Sequence, residues 1–404
     1  MVKKVTLEMQ ANRIEAILAS HQVPARVWGG RVTPRYVQFS LTTAVGTRLS
    51  RVTSLSEEIA MALGARNCRI RRRNGALQVE IPRESAPNVS LVPVLRRVRQ
   101  VPPYTALLGI DETGRPLFLR LPSPEVAHVL VAGTTGCGKT MLMRVMILSL
   151  ALANRRSALQ MVLVDPKRRG FAPLAGLPHL LCPLIHETSE AVAMFQRLVA
   201  EMLRRDEEGR SEPRVAVFID ELADLAQDGG KPCTDLLTRL AQRGRQAGIH
   251  LIAGTQKPAS QVAGTLFKSN FPVRLVGRVA SLEDARVAAG IGGTGAEKLL
   301  GRGDFLAVAS GEMIRFQSAY VTDEELRFLV AHLQRGGQWR ALEGKWTEGG
   351  ALPHHGGGPG QALRWLLGAK SGSARGHMGR WPREPGPNQR TEEERDADRD
   401  LVPR

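Results

Sequence analysis

The run Gly133-Thr134-Thr135-Gly136-Cys137-Gly138-Lys139-Thr140 fits the pattern G-x-x-x-x-G-K-[ST]. Glycines at this spacing let backbone N–H groups turn inward around a phosphate, and a helix starting behind them adds its partial positive charge. The lysine then reaches the β- and γ-phosphates and the threonine hydroxyl ligates Mg²⁺. All eight residues are therefore expected to bind nucleotide, with ATP and Mg²⁺ as cofactors. Two further groups could act on the same phosphates. Val215-Ala216-Val217-Phe218-Ile219 ends in Asp220 and Glu221, so Asp220 is expected to hold the Mg²⁺ water shell and Glu221 to polarise the attacking water. Thr255-Gln256 closes another apolar run, placing the Gln256 amide within reach of the γ-phosphate or the attacking water.

These groups converge only if the elements behind them form one sheet. A strand over His128 to Ala132 runs into the glycine-rich loop and a helix over Met141 to Leu152 runs out of it. Gln160 to Val164, Val215 to Ile219, Ile249 to Gly254 and Val273 to Val279 are short aliphatic runs separated by helical stretches. That pattern predicts an α/β fold, with parallel strands covered on both faces. Asp304 to Val308 and Met313 to Gln317 predict a hairpin finishing the sheet edge.

The flanks differ in composition. Residues 1–102 hold 17 basic and 6 acidic residues, most of the excess in a chain of formal charge +17. Such a field attracts a polyanion, nucleic acid or an anionic membrane surface. This segment reads as a small α+β domain with helices over Leu7 to Ser20 and Ser54 to Leu63, the second opened by the capping box Ser54-Leu55-Ser56-Glu57. Strands are expected at Val37 to Leu41, Asn67 to Ile70 and Leu77 to Ile81. Asn74-Gly75 signals a tight hairpin turn after Arg71-Arg72-Arg73, a run that is either a solvated hairpin or a phosphate contact. Residues 103–335 carry the nucleotide signature. Residues 336–404 are rich in Gly, Pro and Arg and are expected to be mostly disordered, with one short docking helix at Gln361 to Leu367 and a protease-site remnant at Leu401-Val402-Pro403-Arg404. The four cysteines show neither disulfide nor zinc spacing. No apolar run reaches membrane-spanning length and no signal peptide opens the chain, so a cytoplasmic protein is expected.

Several segments together resemble a family. Val131 through Thr140, Val164-Asp165-Pro166-Lys167, Leu177-Pro178-His179-Leu180-Leu181, Asp220-Glu221-Leu222-Ala223-Asp224-Leu225, Arg239-Leu240-Ala241-Gln242 and Ala247-Gly248-Ile249-His250-Leu251 look like the motor domain of FtsK/SpoIIIE-type DNA translocases. Leu300-Gly301-Arg302-Gly303-Asp304 resembles the closing motif of that motor. The basic N-terminal segment is similar to the small α-subdomain that precedes it. The resemblance implies a RecA-like P-loop NTPase core, assembled as a homo-oligomeric ring, a hexamer, that pumps double-stranded DNA through its pore.

It also implies further roles. Arg245 matches the arginine inserted into a neighbour's site, with Arg204 and Arg205 as alternatives. The DNA-contacting loops correspond to Gln256-Lys257-Pro258-Ala259 and Ser281 to Arg286, giving Lys257 and Arg286 as phosphate contacts. Leu282 stands where the family usually has lysine, so that one phosphate contact is either absent or taken over by Arg278. Lys257 replaces an arginine and loses its bidentate fork. With no anchor or winged helix in view, a DNA-transfer pump of a mobile element, conjugative or phage-derived, is expected. It would be recruited to the membrane by a transfer-machinery partner. The alternatives are a chromosome-segregation pump and a secretion-type ATPase moving protein.

Overall fold

The computed structural model describes residues 4–33, 36–65, 67–73, 76–83, 89–98, 101–258, 270–338 and 364–365. The N-terminal elements are α1 (Lys4–Ser20), β1 (Ala25–Val32), β2 (Tyr36–Thr43), α2 (Leu49–Thr53), α3 (Ser56–Ala62), β3 (Arg69–Arg73) and β4 (Ala76–Pro82). The strands form an antiparallel sheet in the order β1-β2-β4-β3. Side chains alternate between faces along a strand. Val37, Phe39 and Leu41 of β2, with Val79 and Ile81 of β4, thus turn one way and meet Ile14, Leu18, Val52 and Ile59 from the helices. Each large side chain buried here contributes roughly 1.5–3 kcal/mol.

Two expectations for this region fail locally. The capping box at Ser54 is absent: α3 starts after Leu55, which makes no side-chain cap, and the Ser54 hydroxyl donates to Arg51 O at 3.0 Å, finishing α2. A capping box does occur at Thr322 and Glu325, outside the small sheet. Strand β1 has no counterpart among the expected strands because Trp28-Gly29-Gly30 interrupts any apolar alternation, and a register shift between Val27 and Gly29 absorbs the irregularity. The expected Asn74-Gly75 turn lies outside the described residues, although Arg73 pairs with Ala76 across it.

The remaining elements are α4 (Leu91–Arg96), β5 (Thr105–Asp111), β6 (Pro116–Arg120), β7 (Val129–Ala132), α5 (Lys139–Ala153), β8 (Leu159–Val164), α6 (Thr188–Glu208), β9 (Arg214–Ile219), α7 (Leu222–Arg243), β10 (Ile249–Thr255), β11 (Val273–Val276), α8 (Leu282–Ala289), β12 (Asp304–Ala309), β13 (Glu312–Ser318), α9 (Asp323–Gln334) and β14 (Arg364–Trp365). They build a second sheet in the order β14-β6-β5-β13-β12-β11-β7-β10-β9-β8. The five predicted strands form its parallel part, β11-β7-β10-β9-β8. Val129 and Val131 of β7 face a core shared with α4, α5 and α9, while Leu130 and Ala132 face one shared with α6, α7 and α8. Burial on both faces explains why these strands read as continuous apolar runs.

The predicted hairpin is present as β12-β13, but it does not end the sheet. Beyond β13 the antiparallel pair β5-β6 continues it, and β14 pairs parallel to β6. Within the expected docking helix Gln361 to Leu367, the two described residues are strand; the rest of the tail, including Leu401 to Arg404, lies outside the described residues. Val89, Leu91, Val92, Leu95 and Val98 pack into the core of the large sheet, so side-chain packing changes hands between Ile81 and Val89, ahead of the division expected at residue 102. All four cysteines are free thiols. No helix among the described residues is long and apolar enough to cross a membrane.

Candidate active site

The glycine-rich loop leaves the carboxyl end of β7 and enters α5, as its sequence requires. Gly138 precedes the helix with φ 104°, a conformation open to glycine, and a Cβ there would lie 2.9 Å from the Gly303 nitrogen. The loop is held from three sides. Gly133 N donates to Thr255 O at 3.1 Å, and Thr134 N donates to Arg278 O at 2.8 Å. Thr134 Oγ1 also donates to Arg278 O, at 3.0 Å, and Thr135 Oγ1 to Gln256 Oε1 at 2.7 Å. Arg302 N and Gly303 N donate to the carbonyls of Gly136 and Cys137 at 3.2 and 2.7 Å. Buried Cys137 thus contributes its backbone, and burial pushes its thiol pKa up.

Lys139 and the two carboxylates meet in the interior. Lys139 Nζ donates to Asp220 O at 2.7 Å and to Glu221 Oε2 at 3.0 Å. Lys139, Asp220 and Glu221 are 5, 7 and 1% exposed, so their charges act with little screening. Glu221 also accepts Gln256 N, at 3.1 Å to each oxygen. One carboxylate thereby ties the loop lysine to the end of β10. Thr140 Oγ1 donates to Asp220 Oδ1 at 3.0 Å. Burial raises the Asp220 pKa above the ordinary carboxylate value, with Asp165 and Glu221 adding to the rise while Lys139 and Thr140 oppose it.

Asp165 belongs to this cluster, although the sequence alone assigns it no role. It follows β8 as Asp220 follows β9, and Val164 pairs with Ile219, so the two aspartates stand side by side. Asp165 is fully buried; Oδ2 accepts Phe171 N at 2.9 Å, and Oδ1 has no hydrogen-bond partner among the described residues. The legible signal is the same apolar run ending in a carboxylate. Thr140, Asp220 and the unpaired Asp165 oxygen make an all-oxygen donor set of the kind a hard divalent cation takes, so these residues fit Mg²⁺. Arg144 closes the neighbouring loop, donating to Gly170 O at 2.6 Å and Arg169 O at 3.2 Å.

The arginines separate by burial. Arg205 is 3% exposed and bonds Glu201 and Ala247 O, a packing role closed to a neighbour. Arg204 is clamped by Glu201 and Glu208. Arg245 is exposed and stands just before β10, where its charge helps depress the pKa values of the buried His128 and His250. Gln256 stands beyond the other end of that strand, so at about 3.3 Å per residue Arg245 lies roughly 20 Å from its own phosphate loop. Lys257 follows Gln256 and is 70% exposed, 3.8 Å from Asp224, which also holds Lys167 at 2.8 Å. Arg286 is exposed in the last turn of α8. Arg278 is exposed as well, and its carbonyl accepts from Thr134 of the glycine-rich loop. Ala259 lies outside the described residues.

Comparison with known proteins gives the family. The profile described as FtsK/SpoIIIE family matches residues 96–209 and 206–260, and the FtsK alpha domain profile matches residues 1–83. The DNA translocase FtsK of Sporosarcina ureae is 34% identical over 358 residues, covering 80% of this chain and 45% of that protein. The Staphylococcus aureus (strain Mu50) protein of the same name is 33% identical over 364 residues, again 45% of its length. The chain thus spans about half the length of the curated relatives it matches. Among solved structures, the pCW3 conjugation coupling protein TcpA with ATPgS superposes with a TM-score of 0.56 at 19% identity, over 81% of this chain and 99% of that one. The cytoplasmic domain of the Thermomonospora curvata type VII secretion ATPase EccC superposes at 0.52 with 24% identity, over 61% of this chain and 34% of that one. Both likenesses concern the fold. With two profiles of one family covering the small sheet and the nucleotide loop through β10, the chain belongs to the FtsK/SpoIIIE family.

Proposed function

We propose that this protein hydrolyses ATP to move double-stranded DNA, acting as a homo-oligomeric ring that we take to be a hexamer. The observation that carries the reading is the buried contact of Lys139 with Glu221 and of Glu221 with Gln256. A loop lysine, a carboxylate placed to accept a proton from water and an amide at the next strand end are the parts a hydrolysing motor needs. Bound Mg²⁺ would supply charge neutralisation at the β- and γ-phosphates. Thr140 and Asp220 would hold it, while the loop amides and Lys139 bind phosphate and Glu221 orients and deprotonates the water. Arg245, too distant from its own loop, would serve the adjoining subunit. Lys257 and Arg286 would hold DNA phosphates as charges, without reading bases.

DNA is favoured over a protein cargo by the charge of residues 1–102, where basic residues exceed acidic ones 17 to 6. The EccC-like fold alone does not separate the two. The biological setting we propose is DNA transfer by a mobile element, in line with the shared fold of TcpA, a conjugation coupling protein, with chromosome segregation as the alternative. The deciding experiment is the ATPase rate with and without linear duplex DNA. Strong stimulation is the expected result, and a rate indifferent to DNA but raised by a protein substrate would overturn the reading.

A further inference from the structure

The small and large sheets meet through buried charges. Arg315 on β13 bonds Asp304 on β12 through Nε and Nη2, each at 2.8 Å, and bonds Glu80 on β4 through Nη1 at 3.3 Å. The Tyr36 hydroxyl on β2 accepts from Arg315 Nη2 and donates to Asp304 Oδ2 at 3.2 Å. The guanidinium carbon lies 4.2 Å from the centre of the Tyr36 ring. Gln38 Nε2 donates to the second Glu80 oxygen at 3.1 Å. All four principal side chains are nearly inaccessible: Tyr36 4%, Glu80 2%, Asp304 2% and Arg315 6% exposed. Burying ions in this way costs desolvation that a hydrophobic junction would avoid, so the junction trades stability for defined geometry.

That geometry runs on to the nucleotide loop. Asp304 Oδ2 also accepts Leu300 N at 2.9 Å, and Asp304 N donates to Gly301 O, closing a tight loop over 300–304. This is the loop whose Arg302 and Gly303 amides bind the carbonyls of Gly136 and Cys137. Because the carbonyl of one peptide plane points opposite to its own N–H, holding the Cys137 carbonyl toward Gly303 turns the Gly138 amide toward the phosphate side, while the Cys137 amide closes the loop on Thr134 O at 3.1 Å.

We infer that Tyr36 and Glu80, on the small sheet, are positioning residues for the phosphate loop, acting through Asp304, Arg315 and the 300–304 loop to set nucleotide affinity from outside the nucleotide site. The inference rests on the reading of Gly133 to Thr140 as a nucleotide site. Among the described residues neither side chain hydrogen-bonds Gly133 to Thr140, and the family profile that matches the small sheet ends at residue 83, short of that loop.

The test is the dissociation constant of a fluorescent ATP analogue for the full chain, measured beside the melting temperature. Tyr36→Phe removes the hydroxyl but keeps the ring under Arg315, and Glu80→Gln keeps the shape but removes the charge. Each is expected to weaken nucleotide binding by about 5- to 10-fold, within the usual range of a coupling between sites, and to speed hydrogen exchange at the Arg302 and Gly303 amides. The control is Ile59→Val in the small-sheet core, which is expected to lower the melting temperature and leave the dissociation constant alone. Unchanged affinity in Glu80→Gln, or an equal loss in Ile59→Val, overturns the inference. Failure of the unaltered protein to bind the analogue would instead overturn the nucleotide-site reading.

Discussion

Glu221→Gln separates the three tasks that one carboxylate performs. In the protein without nucleotide, Glu221 lies 3.0 Å from Lys139 Nζ, with both side chains almost inaccessible. At an effective dielectric constant of about 20, that contact is about 5 kcal/mol of gross attraction, set against the desolvation of both ions. Glutamine keeps an acceptor but no charge, and Lys139 retains Asp220 O at 2.7 Å. The net loss should therefore fall below the roughly 3–5 kcal/mol of an outright truncation. About 2 kcal/mol is expected, read as a fall of roughly 4–8 °C in the melting temperature. Nucleotide binding should move the other way, because a phosphate must draw Lys139 from Glu221. If about 1.4 kcal/mol of that competition disappears, ATP binds about tenfold more tightly. Hydrolysis should drop by about 10²-fold or more, the usual contribution of a general base. Thermal melting, fluorescent-nucleotide titration and phosphate release measure the three effects. A variant that melts like the unaltered protein and binds ATP no better would refute the idea that Glu221 competes with phosphate for Lys139. Near-normal turnover would refute its role toward water.

Other outcomes follow from the same geometry. Arg245→Ala should bind ATP normally yet lose about 10³-fold in turnover, with partial recovery when mixed with Glu221→Gln subunits; a fully active monomer would remove the inter-subunit role. Lys257→Ala and Arg286→Ala should each abolish stimulation by duplex DNA and flatten the salt dependence of DNA binding by a slope of about 0.9 per lost phosphate contact; an unchanged slope places the DNA path elsewhere. Burial lowers the His250 pKa from 6.5 to about 4 and the His128 pKa to about 3. Below pH 6.5 the unfolded chain binds protons that the folded protein refuses. The histidine contribution is thus complete above pH 6.5 and lost as the pH falls toward 4, by about 3 kcal/mol for His250 alone. A urea midpoint that does not fall between pH 7 and pH 5 would contradict it.

The legible part of this fold is the part whose signal is local. The five parallel strands are buried on both faces, so each reads as a mainly apolar run, broken only by single residues such as Gln160, His250 and Arg274, and β8, β9 and β10 have ends within a residue or two of those expected. β11 stops at Val276, short of Val279, because the chain must then present Arg278 O to Thr134. β5 and β6 are not legible in the same way, although Thr105 to Asp111 is buried throughout. It too ends in an acid, Asp111, but no glycine-rich loop follows it, and an apolar run of that length alone has no mark separating strand from helix. In the site, Lys139 at the start of α5 and Asp220, Glu221 and Gln256 beyond strand ends are each legible from their own chemistry. Asp165 shares their position but follows its strand alone, and its neighbour in space, Asp220, is far along the chain. The bonds from Arg302 and Gly303 to the nucleotide loop join backbone groups, which no residue type announces.

Burial also decides between arginines that the sequence leaves equivalent. Arg204 and Arg205 are adjacent on α6, and only the turn of the helix sends one into the Ala247 carbonyl and the other into solvent-exposed pairs. Arg245 emerges at the amino-terminal end of β10, the end of a parallel sheet away from the phosphates, and every residue of β10 is buried. A strand packed on both faces moves as a rigid bar, because its neighbours leave no room to bend it. Gln256 at one end is bonded to Glu221 and Thr135, so a shift in the nucleotide loop acts on β10 where Lys257 follows. The same bar carries Arg245 at its other end. On the ring reading, one strand therefore links the site of one subunit, a DNA-facing lysine and the arginine offered to the next subunit, with no further element needed between them.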